Sequence, residues 1–395
     1  MIFLNDLNHM HDLFFKIRFW LPCCWFASIP LGPSIQSILL VITLMTILMN
    51  VKDLHQIKHV IQHRWFLFLV LAVGYSLLSL IWTPATHSET IFYIKKHLDL
   101  LLIPILALGF QEEAQKDFAL KGFLMAALIP MLVGIYLHLF HTSLYSDMDQ
   151  GHIFYNHIIT GFYSAIAAFI SLQFFIIEKK RVYALAFLLF SFQCLFLNTG
   201  RFAYLLYFAL LGLSIYVYIP KKYIVITLLL AIILLVAGIV LSPVIKTGVS
   251  NFMQDIQKYQ HGDKQSSLGF RLQFHAFAIQ QFLHHPYFGN GIAGFDALFK
   301  HFSPVPSWAF QPNTHSQYLL FACDYGLLGL FFWGGFFNYL IAHLQQAPYL
   351  QVVFYGFMLA LCLNFFTDNM LYASPGHLLM AFAALLYSPF TKKKP

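Results

Sequence analysis

Apolar runs near 20 residues recur along most of this chain, and a helix of that length crosses roughly 30 Å of hydrocarbon. Because lipid offers no water, a backbone inside it must satisfy its own hydrogen bonds, as it does in helices and closed barrels. Barrel strands would alternate polar and apolar residues, whereas runs such as 223–241 are almost continuously apolar. The sequence therefore predicts an all-α, polytopic membrane protein with a single integral membrane domain over residues 1–395.

Segment lengths predict about twelve transmembrane helices. The first is the weakest, because Pro22, Pro30 and Pro33 interrupt it, and it could form a re-entrant pair with the second. The predicted spans are 19–33, 34–51, 65–82, 94–110, 118–140, 153–177, 182–198, 201–219, 223–244, 315–341, 349–367 and 374–391.

The charge distribution predicts orientation. Only 10% of residues are charged and the formal net charge is +7, a balance that could also suggest nucleic-acid binding. With both termini cytoplasmic, 15 of the 23 Lys and Arg residues lie inside and only three lie in short outer loops. An excess of Lys and Arg in short loops marks the cytoplasmic side of a membrane protein. The basic charge therefore indicates the orientation of the chain and does not indicate nucleic-acid binding. The polar loop 245–314, between the ninth and tenth spans, then lies on the outer side of the membrane.

Arg201 follows Asn198-Thr-Gly and opens a predicted span on the outer side. One interpretation is a snorkelling side chain that anchors a helix end. The other is a phosphate site, because the free N–H groups and positive dipole end of a helix amino terminus favour anions. The glycine at position 200 would allow a phosphate to approach the backbone closely.

Arg271 begins a segment of the outer loop with apolar residues at helical spacing, which predicts an amphipathic helix ending before Pro286. This helix either rests on the membrane surface or caps a cavity into which Arg271 points. Gly289-Asn-Gly-Ile-Ala-Gly294 follows as a turn. Its glycine spacing resembles the dinucleotide fingerprint, but no strand–turn–helix unit surrounds it. The loop histidines lack the spacing or carboxylates of a metal site, so no metal is expected.

His315 closes the loop at the predicted outer interface. There its ordinary pKa permits either protonation state. It is either an interfacial polar residue or a general base that accepts the proton of an attacking hydroxyl. A Ser-His-Asp hydrolase is disfavoured, because no nucleophile elbow is visible.

Together these segments resemble the O-antigen ligase/polymerase superfamily of bacterial inner-membrane glycosyltransferases. The resemblance covers residues 150–345. It departs from the usual family pattern at Ser316, where Asn is common, and at Asp324, where Glu is common. The residues that carry it are Thr199-Gly-Arg201, Arg271, His284-His-Pro-Tyr-Phe-Gly-Asn-Gly-Ile-Ala-Gly-Phe295, His315-Ser-Gln-Tyr-Leu319 and Asp324-Tyr-Gly-Leu-Leu-Gly329.

The resemblance implies an outer-leaflet cavity under a periplasmic lid and an undecaprenyl-pyrophosphate-linked glycan as donor. A ligase would transfer the glycan to lipid A–core, and a polymerase would transfer it to another lipid-linked repeat. Arg201 and Arg271 would bind the pyrophosphate, and His315 would activate the acceptor in an inverting, metal-independent reaction without a cofactor. Lys95 and Lys96 would recruit the donor or anchor to headgroups. A lipid-linked glycan flippase and a partner-binding platform are the alternatives from other classes.

Overall fold

The computed structural model is helical, without strands in the part of the chain that it describes. Sixteen helices are labelled α1 to α16 in chain order. The described residues are 17, 19–49, 54–140, 154–223, 225–227, 229, 236, 240, 242–302, 304–308, 312–342, 344 and 346–389. The first eight helices are α1 Phe19–Leu31, α2 Pro33–Leu48, α3 Ile57–Ile61, α4 Arg64–Leu78, α5 His87–Leu100, α6 Ile103–Ala107, α7 Glu113–Leu139 and α8 His157–Glu178. The other eight are α9 Arg181–Phe192, α10 Arg201–Tyr218, α11 Pro243–Gln260, α12 Ser267–His284, α13 Gly294–Phe302, α14 Gln317–Ala342, α15 Pro348–Asn364 and α16 Ser374–Leu386.

Five helical segments in the described part of the chain are long and apolar enough to cross a membrane, and shorter apolar helices accompany them. These five include α7, α8, α10 and α14, and the fifth is α4 continued to Ile81. The all-helical membrane class is thus confirmed, whereas the number of spans stays a prediction. The predicted span 94–110 is divided between α5 and α6, and most of 223–244 lies outside the described residues.

Helix α8 organises the bundle because it packs against α7, α9, α10 and α15. Small side chains such as Ala165, Ala167 and Ala168 are buried along it and allow close approach of the neighbouring helices. Helix α14 packs against α4 on one side and against α12 of the long loop on another. This second contact connects the loop to the membrane bundle.

The loop itself is mostly helical, because α11, α12 and α13 occupy much of it. Helix α12 ends at His284, two residues before Pro286, as the sequence predicts. Residues 289–293 form the predicted turn before α13 begins at Gly294. The turn has left-handed backbone at Gly289, Ala293 and Gly291, which explains its glycine content.

Helix α14 is broken at Gly326, where φ is +63°. The turn after α12 fills the break: Leu327 donates its backbone N–H to the Pro286 carbonyl at 2.8 Å, and Gly291 donates to the Asp324 carbonyl at 2.8 Å. Asp324, fully buried, also accepts the backbone N–H of Phe295 on Oδ1 at 2.7 Å. The two segments that carry much of the family resemblance therefore form one hydrogen-bonded unit.

Replacing Gly326 by Ala is expected to destabilise this unit. A Cβ at this position would lie 2.6 Å from the backbone nitrogen of Gly289, and the combination of φ +63° with ψ −161°, which glycine alone ordinarily adopts, costs about 1–3 kcal/mol more, as other strained backbone conformations do. Thermal unfolding of the purified protein in detergent should show a lower midpoint. Gly334→Ala is the matched control, since a Cβ at that position would meet no neighbouring side chain or helix within 4 Å. Equal midpoints for the two variants would contradict this account.

Candidate functional site

A cavity of about 590 Å³ lies where α10 begins, α15 ends and the loop helices α11 and α12 cover the bundle. Arg201 and Arg271, which are 70 positions apart in sequence, both line it. Its wall is otherwise rich in small and neutral polar groups. These include Thr199, Gly200, Thr247, Gly248, Asn251, Ser267, Asn364 and Thr367.

Arg201 is placed by the turn that begins α10. The Asn198 side chain accepts the backbone N–H of Gly200 at 2.8 Å, and the Tyr204 hydroxyl donates to the Asn198 carbonyl at 2.9 Å. Glycine is required at position 200, because a Cβ there would lie 2.9 Å from the carbonyl oxygen of His157. No side chain caps α10, and its first turn lines the cavity. The positive end of the helix dipole therefore adds to the guanidinium charge.

The carboxylate of Asp255 on α11 already neutralises part of the positive charge of Arg201. Its Oδ2 lies 3.2 Å from Arg201 Nη1, and 13% of the Asp255 side chain is exposed. The ion pair holds α11 over the beginning of α10. Sequence reasoning did not identify Asp255, because an acidic residue on an exposed amphipathic helix is ordinarily a solvated one.

Arg271 lies on the first half of α12 and is partly buried. Burial lowers the pKa of its guanidinium and the charge of Arg201 lowers it further, whereas Asp368 and Asp255 raise it. Within the described residues no carboxylate lies within ion-pair distance of Arg271. A desolvated guanidinium without a close counter-charge beside a second arginine is suited to binding an anion with more than one charge.

The His315 imidazole stacks on Phe274 with ring centroids 5.8 Å apart, and Phe274 lies one turn of α12 after Arg271. Its backbone is left-handed (φ +48°) and is held by a hydrogen bond from its N–H to Asn313 Oδ1 at 2.8 Å. The ring does not line the cavity itself. Its Nδ1 is 3.8 Å from Asp368 Oδ1. This left-handed turn aims the ring between α12 and the end of α15.

Burial lowers the pKa of His315 to about 4, against an opposing effect of Asp368. The positive charge of Arg271 and the neighbouring His275 lower it further. The imidazole is therefore neutral at neutral pH, which is the form that can accept a proton.

This lowered pKa predicts the pH dependence of a reaction that uses His315 as a base. Protonation removes the base only near pH 4, so the single-turnover rate should be level between about pH 6 and pH 8 and fall at lower pH. A rate profile that breaks near the ordinary histidine value of about 6.5 would contradict a buried neutral base. In His315→Ala, the residual single-turnover rate should not show this fall at low pH.

Asp368 is a site residue that sequence reasoning missed. It follows α15, and its carboxylate accepts the backbone N–H of Asn369 at 2.8 Å. Asn369 in turn donates to Asn313 Oδ1 at 3.0 Å and accepts from the Thr314 hydroxyl at 2.8 Å. These bonds fix the turn of His315 to the residues after α15. The available signal was an acidic residue at the predicted outer end of the eleventh span.

The remaining predicted residues lie elsewhere. Lys95 is exposed on α5, and the Lys96 ammonium lies 6.0 Å from the centroid of the Phe92 ring. Neither lysine lines the cavity. Ser316 donates its hydroxyl to the Phe365 carbonyl at 3.2 Å. The two residues that depart from the family pattern, Ser316 and Asp324, therefore both make hydrogen bonds within the protein.

The described helices and the cavity define a helical membrane protein with a cationic, polar cavity at one end of its bundle. Residues 184–334, which contain Arg201, Arg271 and His315, match the family model described as O-antigen ligase. The match confirms the resemblance to the O-antigen ligase superfamily, whose members are glycosyltransferase-like enzymes of ligase or polymerase type. A comparison with curated proteins gives no match.

Proposed function

We propose that this protein is an O-antigen ligase-like glycosyltransferase of the bacterial inner membrane. It transfers a glycan from undecaprenyl pyrophosphate to lipid A–core at the periplasmic face, with both termini cytoplasmic and residues 245–314 as the periplasmic lid. The observation that carries the proposal is the presence of Arg201 and Arg271 on one cavity, with a neutral His315 stacked on Phe274 of the helix that carries Arg271. An arginine pair matches a pyrophosphate in charge and in hydrogen-bond geometry.

The acceptor hydroxyl attacks the anomeric carbon of the donor sugar from the face opposite the pyrophosphate. The new glycosidic bond forms as the carbon–oxygen bond to pyrophosphate breaks, and the electron pair leaves with the pyrophosphate oxygen. Arg201 and Arg271 stabilise that developing charge in a site of reduced dielectric. Direct displacement inverts the anomeric centre, and the activated donor requires neither a metal nor ATP.

The acceptor hydroxyl approaches through the space between α12 and the end of α15, beside the cavity, and His315 takes its proton on Nε2, because Nδ1 faces Asp368. The carboxylate then stabilises the imidazolium that forms, which lowers the cost of charging a buried ring. The present 3.8 Å separation exceeds a hydrogen bond, and catalytic hydrogen bonds commonly shorten when substrate binds. Lys95 and Lys96 remain proposed donor-recruiting residues outside the cavity.

Asp255→Asn is expected to tighten donor binding. The Asp255 carboxylate neutralises Arg201 and would repel a phosphate at the same place, so its removal should lower the dissociation constant for inorganic pyrophosphate about 3- to 30-fold. Isothermal titration of the purified protein measures this change. Asp263→Asn, an exposed acidic residue of the same loop, is the control and should leave binding unchanged. Weaker binding in Asp255→Asn would contradict competition for Arg201.

A reconstituted reaction tests the proposed function. Proteoliposomes receive lipid-linked glycan with lipid A–core, or lipid-linked glycan alone, and the products are resolved by gel and mass spectrometry. Glycosylated lipid A–core supports the ligase, whereas longer lipid-linked chains support a polymerase acting from the same cavity. Movement of donor across the bilayer without a new glycosidic bond would indicate a flippase and overturn both.

A further inference from the structure

One part of the outer loop lies in the break of a membrane helix. At Gly326 the backbone groups of α14 lose their helical partners, and the turn after α12 replaces them. Besides the bonds of Leu327 and Gly291 described above, Leu328 donates its N–H to the Tyr287 carbonyl at 3.2 Å. Asn290 donates its backbone N–H to the Cys323 carbonyl at 2.9 Å. The turn is therefore integrated into the span and does not rest above it.

The position of the break along α14 gives its depth. The stretch from Gly326 to Ala342 rises about 24 Å at 1.5 Å per residue, whereas the hydrocarbon core is roughly 30 Å thick. If Ala342 lies at the far boundary, the break is about 6 Å inside the boundary nearer the cavity. A tilt of α14 would shorten its rise along the membrane normal and place the break deeper still. The docked turn thus lies within the leaflet on the cavity side.

The turn exposes three large apolar side chains, with the polar side chains of His284 and His285 exposed between them. Leu283, Tyr287 and Phe288 are 67%, 66% and 59% exposed. Their surface is continuous with the exposed Leu328 of α14, because Leu328 and Tyr287 are joined by a backbone hydrogen bond, and Phe331 one turn further is 62% exposed. An apolar face continuous with a transmembrane helix has the same neighbours as that helix. Tyrosine and phenylalanine suit the boundary between acyl chains and headgroups.

We infer that the side chains of Leu283, Tyr287 and Phe288 are inserted into the cavity-side leaflet and are covered by phospholipid acyl chains. The inserted turn anchors the C-terminal end of α12, so that Arg271 near the other end of the helix lies over the cavity at a fixed height. This inference concerns a lipid-binding surface and holds whichever glycan or acceptor the cavity takes.

Depth-dependent fluorescence quenching tests the inference on the full chain in lipid nanodiscs. Cys24 and Cys362, which are the accessible thiols among the described cysteines, are first replaced by Ser. A bimane label is then placed at Tyr287→Cys, at Lys264→Cys as the aqueous control, or at Phe331→Cys as the lipid control. Phosphatidylcholine with a nitroxide at carbon 5 or carbon 12 of the acyl chain is the membrane quencher, and iodide is the aqueous one.

The label at position 287 should be quenched by the carbon-5 nitroxide more strongly than by the carbon-12 nitroxide. Its iodide quenching should be at least fivefold weaker than that of the label at position 264. Iodide quenching equal to that at position 264 would overturn the inference, because the turn would then lie in water. Protection from both quenchers would also overturn it, since a protein surface, such as a second copy of this chain, would then cover the turn.

Discussion

His315→Ala is expected to abolish most glycosyl transfer while leaving donor binding intact. Loss of a positioned general base typically reduces a rate by about 10²–10⁴-fold. The imidazole faces Asp368 and Phe274 and is absent from the cavity wall, so its removal leaves both arginines in place. Single-turnover transfer and pyrophosphate titration should therefore separate, with the first greatly reduced and the second within about threefold of wild type.

His301→Ala is the matched control for this experiment. His301 is an exposed histidine in the last turn of α13, and it does not line the cavity of Arg201 and Arg271. It should transfer glycan at the wild-type rate. Wild-type turnover in His315→Ala would remove His315 from the proposed mechanism, and loss of pyrophosphate binding in that variant would assign it a structural part instead.

Arg271→Ala should weaken binding of inorganic pyrophosphate by about 10- to 100-fold, which corresponds to one charge-assisted interaction of about 1.5–3 kcal/mol. Arg201→Ala should have a smaller effect on the same measurement, because Asp255 already neutralises part of the Arg201 charge. The double variant should lose measurable binding. The order of the two effects is the informative result, since it depends on the ion pair and not on the number of arginines.

Two measurements complete this test. Arg181→Ala, at an exposed position where α9 begins, should bind pyrophosphate as wild type does. Arg201→Ala combined with Asp255→Asn should bind no more weakly than Arg201→Ala alone, because the second change removes an unpaired carboxylate. Unchanged binding in both Arg201→Ala and Arg271→Ala would contradict a pyrophosphate site in the cavity.

Local signals predicted the elements that position the two arginines. Gly200 marked the beginning of α10 at Arg201, and Pro286 marked the end of α12, because both residues act on the backbone of their immediate neighbours. Hydropathy predicted the membrane class because each long apolar run must be covered by lipid or by other helices. These inferences needed no knowledge of which helices meet.

Other features depended on tertiary contacts that no local pattern contains. Asp255 and Asp368 became site residues only when α11 and α15 met the arginines and His315. The glycine-rich turn at 289–294 was correctly predicted as a turn, but its partner, the break at Gly326, was not visible from spacing. The predicted span 94–110 fails as one helix because a turn at 101–102 ends α5 and a new helix begins at Ile103, with Pro104 in its first turn.

The bonds between the loop turn and the broken helix have a consequence for biosynthesis. If α14 entered the bilayer without residues 286–291, four backbone groups of the break would face hydrocarbon unpaired, each at a cost of several kcal/mol. The loop must therefore fold back onto α14 before this helix can settle into its broken form. Translation order favours this sequence of events, because α12 leaves the ribosome ahead of α14. A chain whose loop is delayed would be expected to remain at the translocon and to become a substrate for membrane quality control.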